Sequence, residues 1–122
     1  MIVGVGVDIE SVDKFRRMRR EVFVRVVKRV LTEREEMYCL AKLDPYPHVA
    51  ARFCVKEAFV KALGVEETWS IPFKDVEVLG TPPELRAHGK AADALKKKGV
   101  SKVHASLSHT SDYVVALVLL EA

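Results

Sequence analysis

Glu57 and Lys61 lie four residues apart in ARFCVKEAFVKALG (residues 51–64), so both project from one stripe of the helix this segment forms. Arg52 and Lys56 have the same spacing on a second stripe. Ten of the fourteen residues are apolar or glycine. Such a helix belongs inside a fold, where charge is costly unless it is paired or put to use. As an isolated surface pair, Glu57 and Lys61 would contribute only ~0.2–0.5 kcal/mol. Their neighbours, however, are Phe53, Cys54 and Ala58 rather than further solvated charge. Asp8 supplies a second carboxylate. Mg²⁺ often takes one or two protein carboxylates and completes its octahedron with water and substrate phosphate oxygens, so two acids among several cations suit a metal–pyrophosphate site. Spacing alone does not bring Asp8 and Glu57 together, and an acid close to Ser11 also suits the cap of a following helix.

The segment SLSHTSDY offers Ser108, His109 and Thr110 as donors to a phosphate. A Ser/His pair also invites a hydrolase reading. Neighbouring strand residues point to opposite faces, which places Ser108 and His109 poorly as nucleophile and base, and no nucleophile elbow is present.

The elements that must carry these groups follow from periodicity. IVGVGVDIE alternates, with Val3, Val5, Val7 and Ile9 on one face and Gly4, Gly6 and Asp8 on the other. Two glycines on the face of Asp8 predict something packed or bound close to the backbone. SVDKFRRMRR reads as a short basic helix, and EVFVRVVKRVL as a second with its stripe at Phe23, Val27 and Val30. Thr32 and Glu35 form a capping box for a third. Pro47 opens the long helix, which ends at Gly64. An irregular stretch around Trp69 precedes strands at KDVEVLG and PELRA, and a helix at GKAADALKKKG. Two strands, VHASLSH and YVVALVLLE, close the chain. This order predicts a single α+β domain over residues 1–122 with a largely antiparallel sheet.

Composition narrows the class. With 122 residues, 49% hydrophobic and 30% charged, the chain reads as one soluble globular domain. It has neither an apolar run of membrane-spanning length nor a basic leader, and Cys39 and Cys54 read as buried free thiols; a cytoplasmic protein is expected. The net charge of +3 is unevenly spread. Residues 14–29 hold eight Lys or Arg and one Glu, a local +7, leaving −4 on the rest (12 basic, 16 acidic). A basic segment on a mildly acidic body predicts an anionic partner.

Three blocks together resemble the holo-[acyl-carrier-protein] synthases, the short 4′-phosphopantetheinyl transferases: GVGVDIESVDKF, RFCVKEAFVKALG and VHASLSHTSDYVVALVLLE, in that family's order and spacing. The resemblance implies a sheet packed against the long central helix. It also implies Mg²⁺-dependent transfer of phosphopantetheine from coenzyme A to a serine of apo acyl carrier protein, in support of fatty acid biosynthesis. It matches Asp8 and Glu57 to the Mg²⁺ ligands and Lys61 to the lysine at the reacting phosphates. Arg52 and His109, with Lys56 and Thr110, match contacts to coenzyme A; Lys14, Met18 and Arg25 match the grip on the carrier protein. It further implies a homotrimer with sites between chains. The run VEETWSIPF departs from the glycine-rich segment usual in the family.

Two other classes compete: a different Mg²⁺ enzyme acting on another pyrophosphate substrate, and a module whose basic helix binds nucleic acid. The latter lacks a recognisable nucleic-acid-reading motif and would leave Asp8 and Glu57 repelling the ligand's phosphates. Neither nucleic acid nor membrane is expected as a partner.

Overall fold

The computed structural model describes residues 1–64 and 71–122. The expectations about Trp69 and most of the VEETWSIPF run lie outside these residues. Strand β1 (Ile2–Ser11) is followed by α1 (Val12–Arg16), α2 (Arg20–Val30), α3 (Glu33–Leu40) and the long α4 (Tyr46–Leu63). Then come β2 (Val76–Leu79), β3 (Glu84–Ala87), α5 (Gly89–Lys98), β4 (Lys102–His109) and β5 (Tyr113–Glu121). The architecture is α+β, and every strand pair is antiparallel: a three-stranded sheet in the order β1-β5-β4 and a hairpin of β2 and β3.

Local chemistry sets the element ends. Ser11 accepts the Lys14 N–H and caps α1, so the strand's exit is capped by serine rather than by Asp8. The capping box at Thr32 and Glu35 is complete. Pro47 stands in the first turn of α4, where its missing N–H costs nothing, and Gly64 ends the helix at φ 112°.

The core lies between α4 and one face of the large sheet. Val114, Ala116, Val118 and Leu120 of β5 point inward and are buried, as are Val55, Ala58, Phe59 and Ala62 of α4. The inward face of β1 is the one carrying Gly4, Gly6 and Asp8. A Cβ on Gly4 would collide with the carbonyl oxygen of Ala62, and one on Gly6 with that of Ala58. The helix backbone therefore rests directly on the strand. The valine stripe of β1 faces away: Val5, Val7 and Ile9 are 57%, 56% and 64% exposed.

Candidate active site

The contact of α4 with the two glycines brings Asp8 to the helix. Lys61 Nζ donates to Asp8 Oδ1 at 2.9 Å and approaches the Val7 carbonyl at 3.4 Å. From below, the buried Cys54 Sγ donates to the Asp8 carbonyl at 3.1 Å. Burial, then the negative charge of Asp8, pushes the Cys54 thiol up to about 12, so it remains a protonated donor. Glu57 stands one turn before Lys61. Burial and next the charge of Asp8 raise its carboxyl above the ordinary range, while Lys61 and Lys14 oppose the shift. Asp8 and Glu57, separated in sequence, thus share one electrostatic neighbourhood within one chain.

The aspartate keeps a free valence. Asp8 Oδ2 is buried and has no hydrogen-bond partner among the described residues. A buried carboxylate oxygen left unpaired is costly, and a bound cation relieves that cost. Among the described residues no three acidic, imidazole or thiol groups converge as a metal cage. The donor set is therefore two hard oxygen ligands with room for others, which fits Mg²⁺ better than an ion needing a closed nitrogen or sulfur cage.

Glu10 lies beside Asp8 and was not singled out from the sequence, although its place two residues after Asp8 on the same strand face was the signal. Burial and then the adjacent Asp8 carboxyl raise it, and Lys14 Nζ holds it at 2.8 Å.

Arg52 and His109 lie elsewhere. Both line a cavity of about 600 Å³ between α4, the β2–β3 hairpin and β4, together with Tyr38, His48, Val55 and Ser106. The Arg52 guanidinium sits 4.5 Å from the Tyr38 ring centroid, Nη1 donates to the His48 carbonyl at 3.3 Å, and Nε is buried without a partner among the described residues. Arg52 and Glu57 are five residues apart, which turns them about 140° from each other around α4. One chain thus carries Arg52 and the Glu57–Lys61 pair on different flanks of one helix.

Several sequence expectations change here. Lys56 does not reach the cavity. Its ammonium is 1% exposed, donating to Glu35 Oε1 at 2.6 Å and to the Val30 carbonyl at 2.7 Å. The family resemblance matched Lys56 to a coenzyme A contact, but Glu35, distant in sequence, takes the charge inward. Burial lowers the Lys56 pKa, and Glu35 opposes that shift. The Thr110 hydroxyl accepts the N–H groups of Asp112 and Tyr113 at 3.2 and 3.0 Å, which leaves its O–H free to donate. Ser108 is exposed and His109 lines the cavity, in keeping with the expectation that they are not a nucleophile–base pair.

The basic segment is less free than its count suggested. Lys14, Arg16, Arg17, Arg19 and Lys28 each have a carboxylate partner. Arg25 is exposed, and Met18 is half-buried against the core. Phe15 in α1 is buried edge-on against Phe53 at 5.6 Å.

The model for the 4′-phosphopantetheinyl transferase superfamily matches residues 4–118. The holo-[acyl-carrier-protein] synthase of Syntrophus aciditrophicus is 38% identical over 124 residues, covering 99% of this chain and 97% of its own. That of Geobacter sulfurreducens is 41% identical, covering 99% and 98%. A crystal structure of a holo-(acyl-carrier-protein) synthase from Bacillus anthracis, in complex with CoA (3′,5′-ADP), superposes with a TM-score of 0.77 at 30% identity, covering 100% of this chain and 98% of that one.

Proposed function

The chain belongs to the 4′-phosphopantetheinyl transferase superfamily, and from that premise we propose how its residues divide the work. The protein is an enzyme that moves the 4′-phosphopantetheine group of coenzyme A onto a serine hydroxyl of apo acyl carrier protein, releasing adenosine 3′,5′-bisphosphate. The product is the carrier form that fatty acid biosynthesis uses. The observation that carries the site assignment is the Asp8–Lys61 pair, with the second Asp8 oxygen unpartnered near Glu57.

The serine oxygen attacks the phosphorus that bears the pantetheine arm. A new P–O bond forms while the bond to the bridging oxygen of the pyrophosphate breaks, and the serine proton passes to solvent water. Negative charge accumulates on the departing phosphate, and Lys61 is the fixed cation beside it. The hydrogen bond to Asp8 above all raises the Lys61 pKa. Lys61 therefore acts as a charge and hydrogen-bond donor rather than as the acceptor of the serine proton. Asp8 and Glu57 are the residues that would hold Mg²⁺, which when bound supplies charge neutralisation across the phosphates. Arg52 and His109 take the nucleotide end of coenzyme A in the cavity.

The separation of acids and cations around α4 supports a homotrimer in which the acids of one chain face the cavity of the next. The outer sheet face supplies an apolar surface for it. Val5 pairs with Leu119, Val7 with Leu117 and Ile9 with Val115, and Leu117 and Tyr113 are also exposed. A continuous apolar patch of this kind favours association. No helix among the described residues is long and apolar enough to cross a membrane, and a cytoplasmic site of action fits the reading.

Incubation with Mg²⁺, coenzyme A and apo carrier protein should add one phosphopantetheine to the carrier mass; an unchanged mass would remove the assignment. Co-expressing Asp8→Asn with Arg52→Ala should restore activity, to about a quarter of wild type for random mixing in a cyclic trimer. Mixed oligomers with no recovery would place the acids and Arg52 of each site in one chain.

The basic surface yields a separate expectation. Attraction for an acidic carrier should chiefly raise the encounter rate and fade with salt. Arg25→Glu should raise KM for the carrier by several-fold, about 3–10, with KM for coenzyme A nearly unchanged. Lys14→Glu should affect both substrates, because Lys14 also steadies Glu10. Unchanged carrier kinetics in Arg25→Glu would make this face ordinary solvated charge.

A further inference from the structure

The cavity read above as the nucleotide site holds a third basic group to which the reaction has given no role. His48 stands one turn before Arg52 on the flank of α4 that lines the cavity. Its ring meets the Tyr38 ring edge-on, with centroids 5.8 Å apart at 79°. The Arg52 guanidinium lies over the same tyrosine at 4.5 Å, so one aromatic side chain seats both groups. The His48 carbonyl accepts the Arg52 Nη1–H, which ties the two residues together on the cavity wall.

The charges facing His48 are mostly positive. Burial, then Arg52 and Lys42, depresses its pKa; His109 adds a smaller push in the same direction, and Asp44 opposes among the described residues. Asp44 is itself committed to Arg16 through two hydrogen bonds. Arg52, His48 and His109 therefore converge on one cavity in which Arg52 Nε is buried with no partner among the described residues. A guanidinium with an unsatisfied donor beside two imidazoles suits an anion.

Coenzyme A offers two kinds of phosphate. Its pyrophosphate must meet Lys61 and the acids, on the opposite flank of α4. The remaining phosphate is the 3′-monoester, a dianion near neutral pH with its second pKa at about 6. We propose that His48 is a third cationic contact, beside Arg52 and His109, for the 3′-phosphomonoester of coenzyme A, and that it takes up a proton as this dianion binds. This proposal rests on the reading of the cavity as the nucleotide site. Binding of the monoester should accordingly weaken as pH rises through the imidazole pKa in the complex, because protonation must then be driven against solvent.

The test is calorimetric titration of the intact protein with coenzyme A and with dephospho-coenzyme A. Measurements run from about pH 6 to about pH 8, in buffers of different ionisation enthalpy. Wild type should prefer coenzyme A, take up protons on binding it, and lose preference as pH rises. His48→Gln should weaken coenzyme A about tenfold and dephospho-coenzyme A less than about twofold, with reduced proton uptake. His48→Phe, which keeps the ring packed on Tyr38, should behave likewise. His48→Arg should restore affinity without the missing proton uptake. If His48→Gln and His48→Phe bind coenzyme A like wild type while Arg52→Ala does not, the role of His48 is overturned and the cavity reading stands. If Arg52→Ala and His109→Gln also bind normally, the cavity reading itself falls. Equal losses for both ligands in His48→Gln would likewise overturn a monoester contact.

Discussion

Asp8→Asn leaves the protein folded and lowers carrier-protein modification by about 10²–10³-fold, the usual scale for removing one preorganised charge from a reacting centre. Asp8 combines a Lys61 contact with an oxygen that has no other partner, so the amide removes both the anchor and the ligand. Raised Mg²⁺ should rescue only part of the loss. Glu57→Gln should lose activity on the same scale, yet it separates function from stability. The Glu57 carboxyl is raised by burial and by Asp8, so its charged form costs the folded state. That cost is present above the raised folded pKa and disappears as pH falls below the unfolded value, the opposite of a stabilising carboxylate. The neutral glutamine removes it, and Tm near neutral pH should rise by about a degree or two. Wild-type turnover should fall as pH drops through the raised Glu57 pKa. Steady-state rates with thermal melts check both parts. Near-normal turnover in either variant, with an unchanged Mg²⁺ requirement, ends the assignment.

The largest effect on stability is expected at Lys56. Lys56→Met strands Glu35 in the core, where the same carboxylate also accepts the Thr32 and Val78 N–H groups at 2.8 and 2.9 Å. Removing one partner of such a pair costs ~3–5 kcal/mol. Denaturant titration should show that loss, with a smaller proportional change in KM for coenzyme A. Glu35→Met should be similarly severe. The double variant should be less destabilised than the two single losses summed, since part of each loss is the charge left behind. A Lys56→Met protein of wild-type stability but weakened coenzyme A binding would restore the phosphate contact that the sequence suggested.

Local signals were legible residue by residue. Thr32 and Glu35 announce a helix start because a capping box is contained within four residues. The alternation in β1 and the ends of α4 at Pro47 and Gly64 are likewise local. The glycines on Asp8's face announced a close approach, and α4 makes it. Hidden, by contrast, was whatever depends on partners far along the chain. Lys56 shares a helical stripe with Arg52, but its direction is decided by Glu35, 21 residues earlier. The Val5–Val7–Ile9 stripe resembles a core face, yet the helix can approach only the glycine side, which leaves the valines outside. For the site, residue types pointed to Asp8, Glu57 and Lys61, while their convergence required the tertiary contact. Glu10 was visible as a neighbour of Asp8 and gained meaning only with the strand face it shares.

The register of β1 has a consequence for how the protein is made. Asp8 lies opposite Ala116, and β1 pairs with β5, which follows α4 by a long stretch of chain. During synthesis, α4 with Glu57 and Lys61 can form long before that partner leaves the ribosome. The aspartate-bearing strand must wait, because such distant pairing carries the full loop-closure cost. A nascent or truncated polypeptide therefore holds the lysine and glutamate without a seated aspartate. The proposed site is therefore complete only once β5 has docked beside β1.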